Sequence, residues 1–366
     1  MKNICIFNNL YYKGGGERVA SLLMNELSKN NNVLCIIPKN PNKKLAYTLN
    51  KNIKIKILYS GNKKLKYNPL KLIFLLFKTN KIIRKNKIEV IINIGNAGVI
   101  FSYFVSRFMD IKIIYAEQSN LNNKIYNNFF QRIFQYFIIK FDKIITLTQK
   151  DKINYIQKFN LSENKVDYIY NFIDDELLHL KNEYDTNSKK IITVGRFDKV
   201  KGYDRLIKIA KKILEKNIDW EWHIYGDGEE FENIKSLIKK SKIENRLILK
   251  GKVDNIYVLY KKYSFYVMTS YYEGLPMVLL EAKANNLPLI SFDIETGPSE
   301  IIRNGIDGYL IENNDLEQME ERINYLIENK NIRKAFSDRS KENLKKFEKN
   351  KIIDQWINLI KGFDKK

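Results

Sequence analysis

Two glutamates, Glu273 and Glu281, stand eight residues apart just after the apolar run Phe265–Met268. On a loop at the end of a strand, the Glu273 carboxylate can accept hydrogen bonds from sugar hydroxyls. The backbone N–H groups from Gly274 to Met277 open an apolar helix and can hold an anion. Glu281 follows about two helical turns later, where it can reach a diol such as that of ribose. The alternative, that Glu281 is a solvent-facing helix residue, is disfavoured because its neighbours in the sequence are apolar.

A second group of polar residues follows the run Lys190–Val194. Arg196 and Lys201 flank a loop that closes with Gly202 at the start of a helix. An arginine can contact two oxygens of a diphosphate at once, and a lysine supplies a point charge. The spacing therefore favours a diphosphate site at this loop.

A glycine triplet, Gly14–Gly16, follows the first apolar run and precedes Glu17 and Arg18. Glycines let a backbone approach a phosphate or a sugar closely. The triplet is not the Gly-x-Gly-x-x-Gly of dinucleotide-binding folds, and the Gly-Lys-Ser/Thr of a Walker loop does not occur. A tight turn without a ligand explains the triplet equally well.

Strands must position these loops, and the sequence predicts two series of strands that alternate with helices. In the first half, the predicted strands are Asn3–Phe7, Val33–Ile37, Ile53–Leu58, Ile88–Asn93, Ile111–Ala116, Lys143–Leu147 and Lys165–Ile169. In the second half, they are Lys190–Val194, Trp220–Tyr225, Leu247–Lys250, Phe265–Met268, Pro288–Phe292 and Gly308–Ile311. The predicted helices are Arg18–Ser28, Leu70–Lys85, Tyr203–Glu215, Glu229–Lys240, Met277–Ala284, Leu316–Glu328, Ile332–Phe347 and Asn350–Lys361. This alternation predicts an α/β fold of two doubly wound parallel sheets, separated by the polar stretch Asp174–Lys189, with ligands at the carboxyl ends of the strands.

The composition excludes several other classes of protein. The 366 residues are 44% hydrophobic and 29% charged, which suits two globular domains and excludes intrinsic disorder. The two cysteines, Cys5 and Cys35, lie in apolar runs, so we expect buried thiols and not a disulfide scaffold. No secretory signal is visible, and the longest uncharged run, Val90–Ser106, contains too many polar residues and glycines for a membrane span. We therefore expect a cytoplasmic protein.

Positive charge is concentrated in the first half of the chain. Residues 1–170 carry 29 basic and 9 acidic side chains, a net charge of +20, whereas residues 171–366 carry 35 and 33, a net charge of +2. A compositional bias would act on both halves, so the asymmetry favours an anionic partner for the first half, either a membrane surface or a polyanion.

Residues 63–87 place the apolar segment Ile73–Phe77 between basic flanks. Such a helix is typical of attachment to a membrane surface. A buried crossover helix explains the apolar segment equally well. A nucleic-acid-binding protein is an alternative from a different class, but the charge is scattered over many elements and no nucleic-acid-binding module stands out.

The motifs, in this order, resemble those of family 4 glycosyltransferases with the GT-B fold. The matching stretches are Gly14–Val19, Ile169–Asp174, Val194–Arg196, Lys201-Gly202, Ile224–Gly228, Glu273–Glu281, Gly297–Ile302, Asn304-Gly305 and Gly308–Leu310. The last of these resemble the subgroup that uses UDP-hexoses or UDP-N-acetylhexosamines in bacterial surface-polysaccharide assembly. The resemblance implies an acceptor domain at 1–173, a linker at 174–189, a nucleotide-sugar domain at 190–347, and a final helix within 348–366 that returns to the first domain.

The resemblance also implies roles for individual residues. Arg196 and Lys201 would bind the donor diphosphate and stabilise the leaving group, Glu273 would hold the donor sugar, and Glu281 would bind the ribose. The donor site would comprise Gly15, Gly16, Arg196, Lys201, Val253, Glu273, Gly274, Leu275, Pro276, Met277 and Glu281. No cofactor and no bound metal are implied, and the sequence contains no Asp-x-Asp motif.

One position departs from the family. Many members have a histidine after the fifth strand of the first domain, where this chain has Glu117 and Gln118. Glu117 or Gln118 would fill that catalytic position, or Glu117 would only shape the acceptor pocket, which would comprise Glu17, Arg18, Glu117 and Gln118. The two histidines, His179 and His223, are expected to be a surface residue and a structural residue of a strand.

The resulting hypothesis is a retaining enzyme that transfers a hexose or an N-acetylhexosamine from a UDP-sugar to a glycan. The acceptor would be linked to undecaprenyl diphosphate, and the enzyme would lie on the inner face of the cytoplasmic membrane, bound to anionic lipid and not specifically to nucleic acid. A GT-B phosphorylase is the alternative with the same fold, and it would use free phosphate.

Overall fold

The computed structural model describes residues 1–11, 14–41, 43–61, 69–122, 129–179 and 183–364. The chain divides into two compact units. Unit 1 comprises Met1–Asn171 and Asn350–Lys366, and unit 2 comprises Phe172–Lys349. Each unit is an α/β structure around one parallel sheet, which confirms the predicted fold class.

Unit 1 contains a seven-stranded parallel sheet in the order β3-β2-β1-β4-β5-β6-β7. Its strands are β1 (Asn3–Phe7), β2 (Asn32–Asn40), β3 (Lys54–Ser60), β4 (Val90–Ile94), β5 (Lys112–Ala116), β6 (Lys143–Thr146) and β7 (Val166–Tyr168). Its helices are α1 (Gly15–Leu27), α2 (Pro69–Lys85), α3 (Val99–Ser106), α4 (Phe129–Ile138), α5 (Gln149–Phe159) and the last helix of the chain, α14 (Lys349–Lys361). The strand order reverses between β1 and β4, which places the glycine triplet after β1 at the switch point of the sheet.

Unit 2 contains a six-stranded parallel sheet in the order β10-β9-β8-β11-β12-β13. Its strands are β8 (Lys190–Val194), β9 (Glu221–Tyr225), β10 (Leu247–Gly251), β11 (Phe265–Met268), β12 (Leu289–Asp293) and β13 (Gly308–Glu312). Its helices are α6 (Asp175–Leu178), α7 (Tyr203–Lys216), α8 (Phe231–Lys240), α9 (Tyr257–Tyr260), α10 (Met277–Ala284), α11 (Pro298–Ile301), α12 (Leu316–Glu328) and α13 (Lys330–Arg339). The switch point here lies between β8 and β11, the two strands whose following loops carry the charged motifs.

Apolar strands sandwiched between helices form the core of each unit. Cys5 and Cys35 are fully buried thiols in unit 1, as predicted. In unit 2, α7 packs its apolar face on the sheet through Leu206, Ile209 and Ile213, all completely buried. Burial of each such side chain stabilises the folded unit by about 2 kcal/mol.

The predicted helix Ile332–Phe347 is wrong at its C-terminal end. Helix α13 ends at Arg339, and a separate 3-10 turn covers Leu344–Phe347. Two side chains hold the intervening residues on a neighbouring loop, since Asn343 Nδ2 donates to Ile301 O (3.1 Å) and Glu342 accepts from Arg303 Nη1 (2.8 Å). These tertiary contacts compete with continued helical hydrogen bonding.

The predicted linker, residues 174–189, lies within unit 2, and its described part contacts the rest of that unit. Helix α6 lies within it, and Tyr184 Oη donates to Ser264 O over 2.6 Å. Residues 62–68, which hold Lys63, Lys64 and Lys66 of the basic flank predicted before α2, lie outside the described residues.

Candidate functional site

The loops after β8 and β11 are joined to each other at the carboxyl edge of the unit 2 sheet. Tyr271 N donates to Val200 O over 2.7 Å, and Thr269 Oγ1 donates to Lys201 O over 3.2 Å. Gly202 has φ +64°, and a Cβ there would lie 2.1 Å from Thr269 O. Only glycine fits this crossing, so the Lys-Gly pair of the motif is required by the backbone geometry.

The junction brings Lys201 and Glu273 into contact. Lys201 Nζ lies 2.7 Å from Glu273 Oε1, and the two side chains are 23% and 11% exposed. The cation and the carboxylate are therefore mostly buried, and each keeps part of its surface accessible. Their pairing neutralises both charges when no ligand is bound. A ligand can replace it with two interactions, a diphosphate with the Lys201 ammonium group and a sugar hydroxyl with the Glu273 carboxylate.

Arg196 lies on the same edge, with its guanidinium 66% exposed. Its Nε donates to Asp198 Oδ2 over 2.7 Å. Asp198 is 3% exposed, and its other oxygen, Oδ1, has no hydrogen-bond partner among the described residues. The buried Asp198 carboxylate therefore orients the Arg196 guanidinium, a role that the sequence analysis did not assign.

Arg205 is a second residue that the sequence analysis missed. It is 3% exposed, and its guanidinium donates to Thr269 O (2.6 Å) and to Ser270 O. The guanidinium carbon lies 4.1 Å from the ring centroids of both Tyr271 and Phe292. Burial lowers the pKa of Arg205 to about 10. In the sequence, Arg205 is distinguished only as a basic residue next to the apolar positions of α7.

The loop after β12 supports the Glu273 loop from the other side. Thr296 Oγ1 donates to Glu273 O over 2.6 Å. Gly297 has φ +104°, and a Cβ there would lie 2.7 Å from Gly274 O and 2.6 Å from Pro276 Cδ. The segment from Glu273 to Pro276 is therefore held on both sides before α10 begins at Met277.

Glu281 lies on α10 and is only 7% exposed, so it is not a solvent-facing residue. Tyr257 Oη donates to its Oε1 over 3.3 Å. Val253 follows β10 and is half-buried, in the segment that leads to Tyr257. Leu275, another predicted donor residue, lies between β11 and α10 and is buried, with 5% exposure.

In unit 1, the structure brings Gly16 and Gln118 together. Gly15 and Gly16 are the first two residues of α1, and a Cβ on Gly16 would lie 3.5 Å from Gln118 Oε1. That oxygen is buried and has no hydrogen-bond partner among the described residues. Glu17 and Arg18 follow in the first turn of α1 and are half-buried. A Cβ on Gly15 would meet nothing within 4 Å.

Glu117 is held by several donors at once. Its Oε2 accepts from Tyr155 Oη (2.6 Å) and Tyr115 Oη (3.2 Å). Its Oε1 accepts from Gln118 N (2.8 Å), Ser119 N (3.0 Å) and Ser119 Oγ (3.0 Å). With 7% exposure, this carboxylate fixes the loop that presents Gln118.

The histidines lie apart from these groups. His223 is 4% exposed in β9 and contacts Tyr263 Oη (2.9 Å) and Glu221 Oε2 (2.8 Å) through its two ring nitrogens. Burial lowers the pKa of His223. His179 caps the C-terminus of α6 and is exposed, as expected for a surface residue. Within the described ranges, no group of three or more His, Cys, Asp or Glu side chains could hold a metal ion.

Two family models together cover most of the chain. The model of Glycosyltransferase Family 4 matches residues 13–177, and that of glycosyl transferases group 1 matches residues 174–343. The first match falls on unit 1 and the second on unit 2, where the paired Lys201 and Glu273 lie.

Similar proteins span the full length of the chain. An uncharacterized glycosyltransferase of Haemophilus influenzae is 29% identical and covers 98% of this chain and 100% of its own. The amylovoran biosynthesis glycosyltransferase AmsD of Erwinia amylovora is 27% identical, with 98% and 99% covered. The N-acetylgalactosamine-N,N'-diacetylbacillosaminyl-diphospho-undecaprenol 4-alpha-N-acetylgalactosaminyltransferase of Campylobacter jejuni is 27% identical, with 99% and 100% covered.

Solved structures show the same arrangement of elements. Anabaena HepE in complex with UDP superposes with a TM-score of 0.80 at 16% identity, covering 99% of this chain and 100% of that one. The likeness confirms the GT-B fold.

Proposed function

Because the chain belongs to the GT-B glycosyltransferases, as a family 4 domain followed by a group 1 domain, we propose that it is a retaining hexosyltransferase that uses a UDP-sugar. That it is a glycosyltransferase of bacterial glycan or polysaccharide synthesis follows from the family and the relatives. In this proposal, the donated sugar is a hexose or an N-acetylhexosamine. The observation that carries the proposed function is the contact between Lys201 and Glu273.

The donor assignment is supported by the charges at the edge of the unit 2 sheet. Lys201 contacts Glu273, and the exposed Arg196 lies with Lys201 in the segment that follows β8; two cations in one segment suit a diphosphate. Glu281, buried and already accepting from a tyrosine hydroxyl, suits the ribose hydroxyls. The similar HepE structure contains UDP, which supports uridine as the nucleoside.

The proposed mechanism is electrostatic. The bond between the anomeric carbon and the β-phosphate oxygen breaks, and Lys201 and Arg196 stabilise the charge that develops on the departing diphosphate. The acceptor oxygen forms its bond to the anomeric carbon on the same face, so the configuration is retained. The acceptor proton passes to a phosphate oxygen of the leaving group. The proposal requires no metal ion and no covalent nucleophile.

The acceptor is proposed to be a glycan on undecaprenyl diphosphate, bound by unit 1. The support is the Campylobacter relative, whose acceptor is a diphospho-undecaprenol glycan. Glu17, Arg18 and Gln118 are the proposed contacts, and Glu117 is proposed to position Gln118 through the hydrogen bonds described above.

The first experiment is a thermal-shift series with UDP, GDP, ADP and a panel of UDP-sugars, each with excess EDTA or with MgCl2. A ligand at 100 times its dissociation constant stabilises by about 2.7 kcal/mol, which is easily measured. We expect stabilisation by UDP and by one UDP-sugar, unchanged by EDTA. NMR of the glycoside product then gives the anomeric configuration.

Stabilisation by none of the nucleotides would overturn the donor proposal. Sugar-phosphate formation from free phosphate, without nucleotide release, would establish the phosphorylase alternative. A product with inverted configuration would overturn retention alone.

A further inference from the structure

Helix α2 of unit 1 has two different faces. Leu75, Thr79 and Ile83 are 3%, 0% and 0% exposed and form the inner face at a spacing of four residues. Phe74 and Phe77, on the opposite face, are 65% and 71% exposed. The helix is therefore a buried crossover on one side and presents an exposed apolar surface on the other.

The end of α3 extends the exposed apolar surface. Phe104 and Phe108 are 37% and 72% exposed, and they lie beside α2. Between the two helices is an open groove of about 490 Å³, which we call the α2–α3 groove. It is lined by Ile73, Leu76, Phe77, Phe104, Val105 and Phe108, with Asn80 and Arg84 at its edge. Large exposed aromatic side chains in one patch are unusual on a soluble surface and indicate a binding surface.

One cation, Arg84, lines this apolar groove, others stand near it in the sequence, and neither helix carries an acidic residue. Helix α2 contains five lysines and arginines and no acidic residue, and α3 contains no charged residue. Lys81 and Arg84 are exposed on the same face of α2 as Phe77, one to two turns further along. Arg107, also exposed, stands between Phe104 and Phe108 in the sequence.

We propose that the α2–α3 groove docks on the surface of a membrane that contains anionic lipids. Such a surface presents phosphate charges above an apolar layer, which matches the cations beside the apolar groove. Phe77 and Phe108 enter the layer below the headgroups, while Lys81, Arg84 and Arg107 contact lipid phosphates. The inference does not depend on the donor or on the reaction, because binding to a membrane is measured without turnover.

The test is cosedimentation with phosphatidylcholine vesicles and with vesicles of equal parts phosphatidylcholine and phosphatidylglycerol, at low salt. We expect the wild type to bind only the anionic vesicles. The double variant Phe77→Ser/Phe108→Ser should bind at least tenfold more weakly, because two large apolar side chains no longer leave water. The matched control is Ile218→Ser/Val258→Ser, which removes two exposed apolar side chains of unit 2 (80% and 54% exposed).

The charges are tested separately. Lys81→Gln/Arg84→Gln/Arg107→Gln should weaken binding by about fivefold for each cation removed. Lys208→Gln/Lys239→Gln/Lys240→Gln, at exposed positions of unit 2, changes the net charge equally and should leave binding near the wild-type level. Circular dichroism verifies that each variant is folded.

Two outcomes would overturn the proposal. One is no binding of the wild type to anionic vesicles, and the other is equal loss in the groove variants and their matched controls. If the wild type is a dimer and Phe77→Ser/Phe108→Ser makes it a monomer with unchanged vesicle binding, then a second copy of the chain occupies the groove and the membrane assignment is wrong.

Discussion

Lys201 Nζ lies 2.7 Å from Glu273 Oε1, although 72 residues separate the two in the sequence. The contact exists because β8 and β11 are neighbours at the switch point of the unit 2 sheet, so that their following loops meet. A ligand that carries both a diphosphate and a sugar can replace this internal pair with two separate interactions.

Replacing Lys201 with Ala should lower kcat/KM at least tenfold, because a preorganised cation at the leaving group is lost. Arg196→Ala should do the same. Lys199→Ala, at an exposed position in the same loop, is the matched control and should remain near wild type. Steady-state kinetics with the donor identified by thermal shift make the measurement. Wild-type turnover in both site variants would contradict the diphosphate assignment.

Arg205→Ala should destabilise unit 2 by about 3 kcal/mol, because it leaves buried carbonyls without a charged donor. In a unit of this size, the melting temperature should fall by about 8 °C. Arg322→Ala, which removes an exposed arginine over Tyr309, is the control and should change it by less than about 2 °C. Differential scanning calorimetry, with and without UDP, measures both. An unchanged melting temperature in Arg205→Ala would show that the two loops hold together without it.

Gly15→Ala should leave the melting temperature unchanged, because the added Cβ meets nothing within 4 Å and φ is not positive. If the donor or the acceptor approaches this backbone closely, kcat/KM should fall tenfold or more. Gly362→Ala adds a Cβ to an equally open position far from any proposed site residue in the sequence. Equal activity of the two variants would remove Gly15 from the proposed site.

Glu117→Gln distinguishes a positioning residue from a general base. Because the carboxylate accepts hydrogen bonds from two tyrosines and from the Gln118 loop, we expect lower thermal stability and reduced kcat/KM, with the pH dependence of kcat unchanged. Gln118→Ala should reduce kcat/KM without the stability loss. Disappearance of the acid limb of the pH profile in Glu117→Gln would instead identify Glu117 as the base.

The tyrosines beside Glu117 predict a loss of stability at alkaline pH. Burial raises the pKa of Tyr115 and of Tyr155 well above 10.0. The folded protein therefore keeps protons that the unfolded chain releases above pH 10, so the stabilisation is complete below pH 10 and declines as the pH rises further. Each tyrosine contributes a slope of up to about 1.4 kcal/mol per pH unit. Melting temperatures between pH 9 and pH 11 should fall less steeply for Tyr155→Phe than for the wild type, and equal slopes would contradict this account.

Local sequence patterns predicted the elements that position the site. The strands before Arg196 and Glu273 and the helix after Pro276 have the predicted bounds, because apolar periodicity and glycine or proline boundaries are local properties. If β8 and β11 are assigned as neighbours in one sheet, Lys201 and Glu273 are expected to lie close together, because the loops after neighbouring parallel strands meet at the same edge.

Long-range contacts could not be predicted in the same way. Asp198 and Arg205 act through partners that only the folded loops bring near, and a single sequence contains no trace of that proximity. The break after Arg339 depends on contacts with the loop at Ile301 to Asp307, and the helical periodicity continues through it. The exposed face of α2 likewise depends on what packs against the helix.

Unit 1 is built from two separate pieces of the chain, and this fixes the order in which the protein can be completed during synthesis. A ribosome releases Phe172–Lys349, the whole of unit 2, before it releases Asn350–Lys366. The buried Ile352, Trp356 and Ile360 of α14 therefore become available to unit 1 only after the whole of unit 2 has been released. Unit 1 begins the chain but is completed after unit 2. A nascent chain therefore passes through a state in which unit 2 can be folded while unit 1 still lacks helix α14.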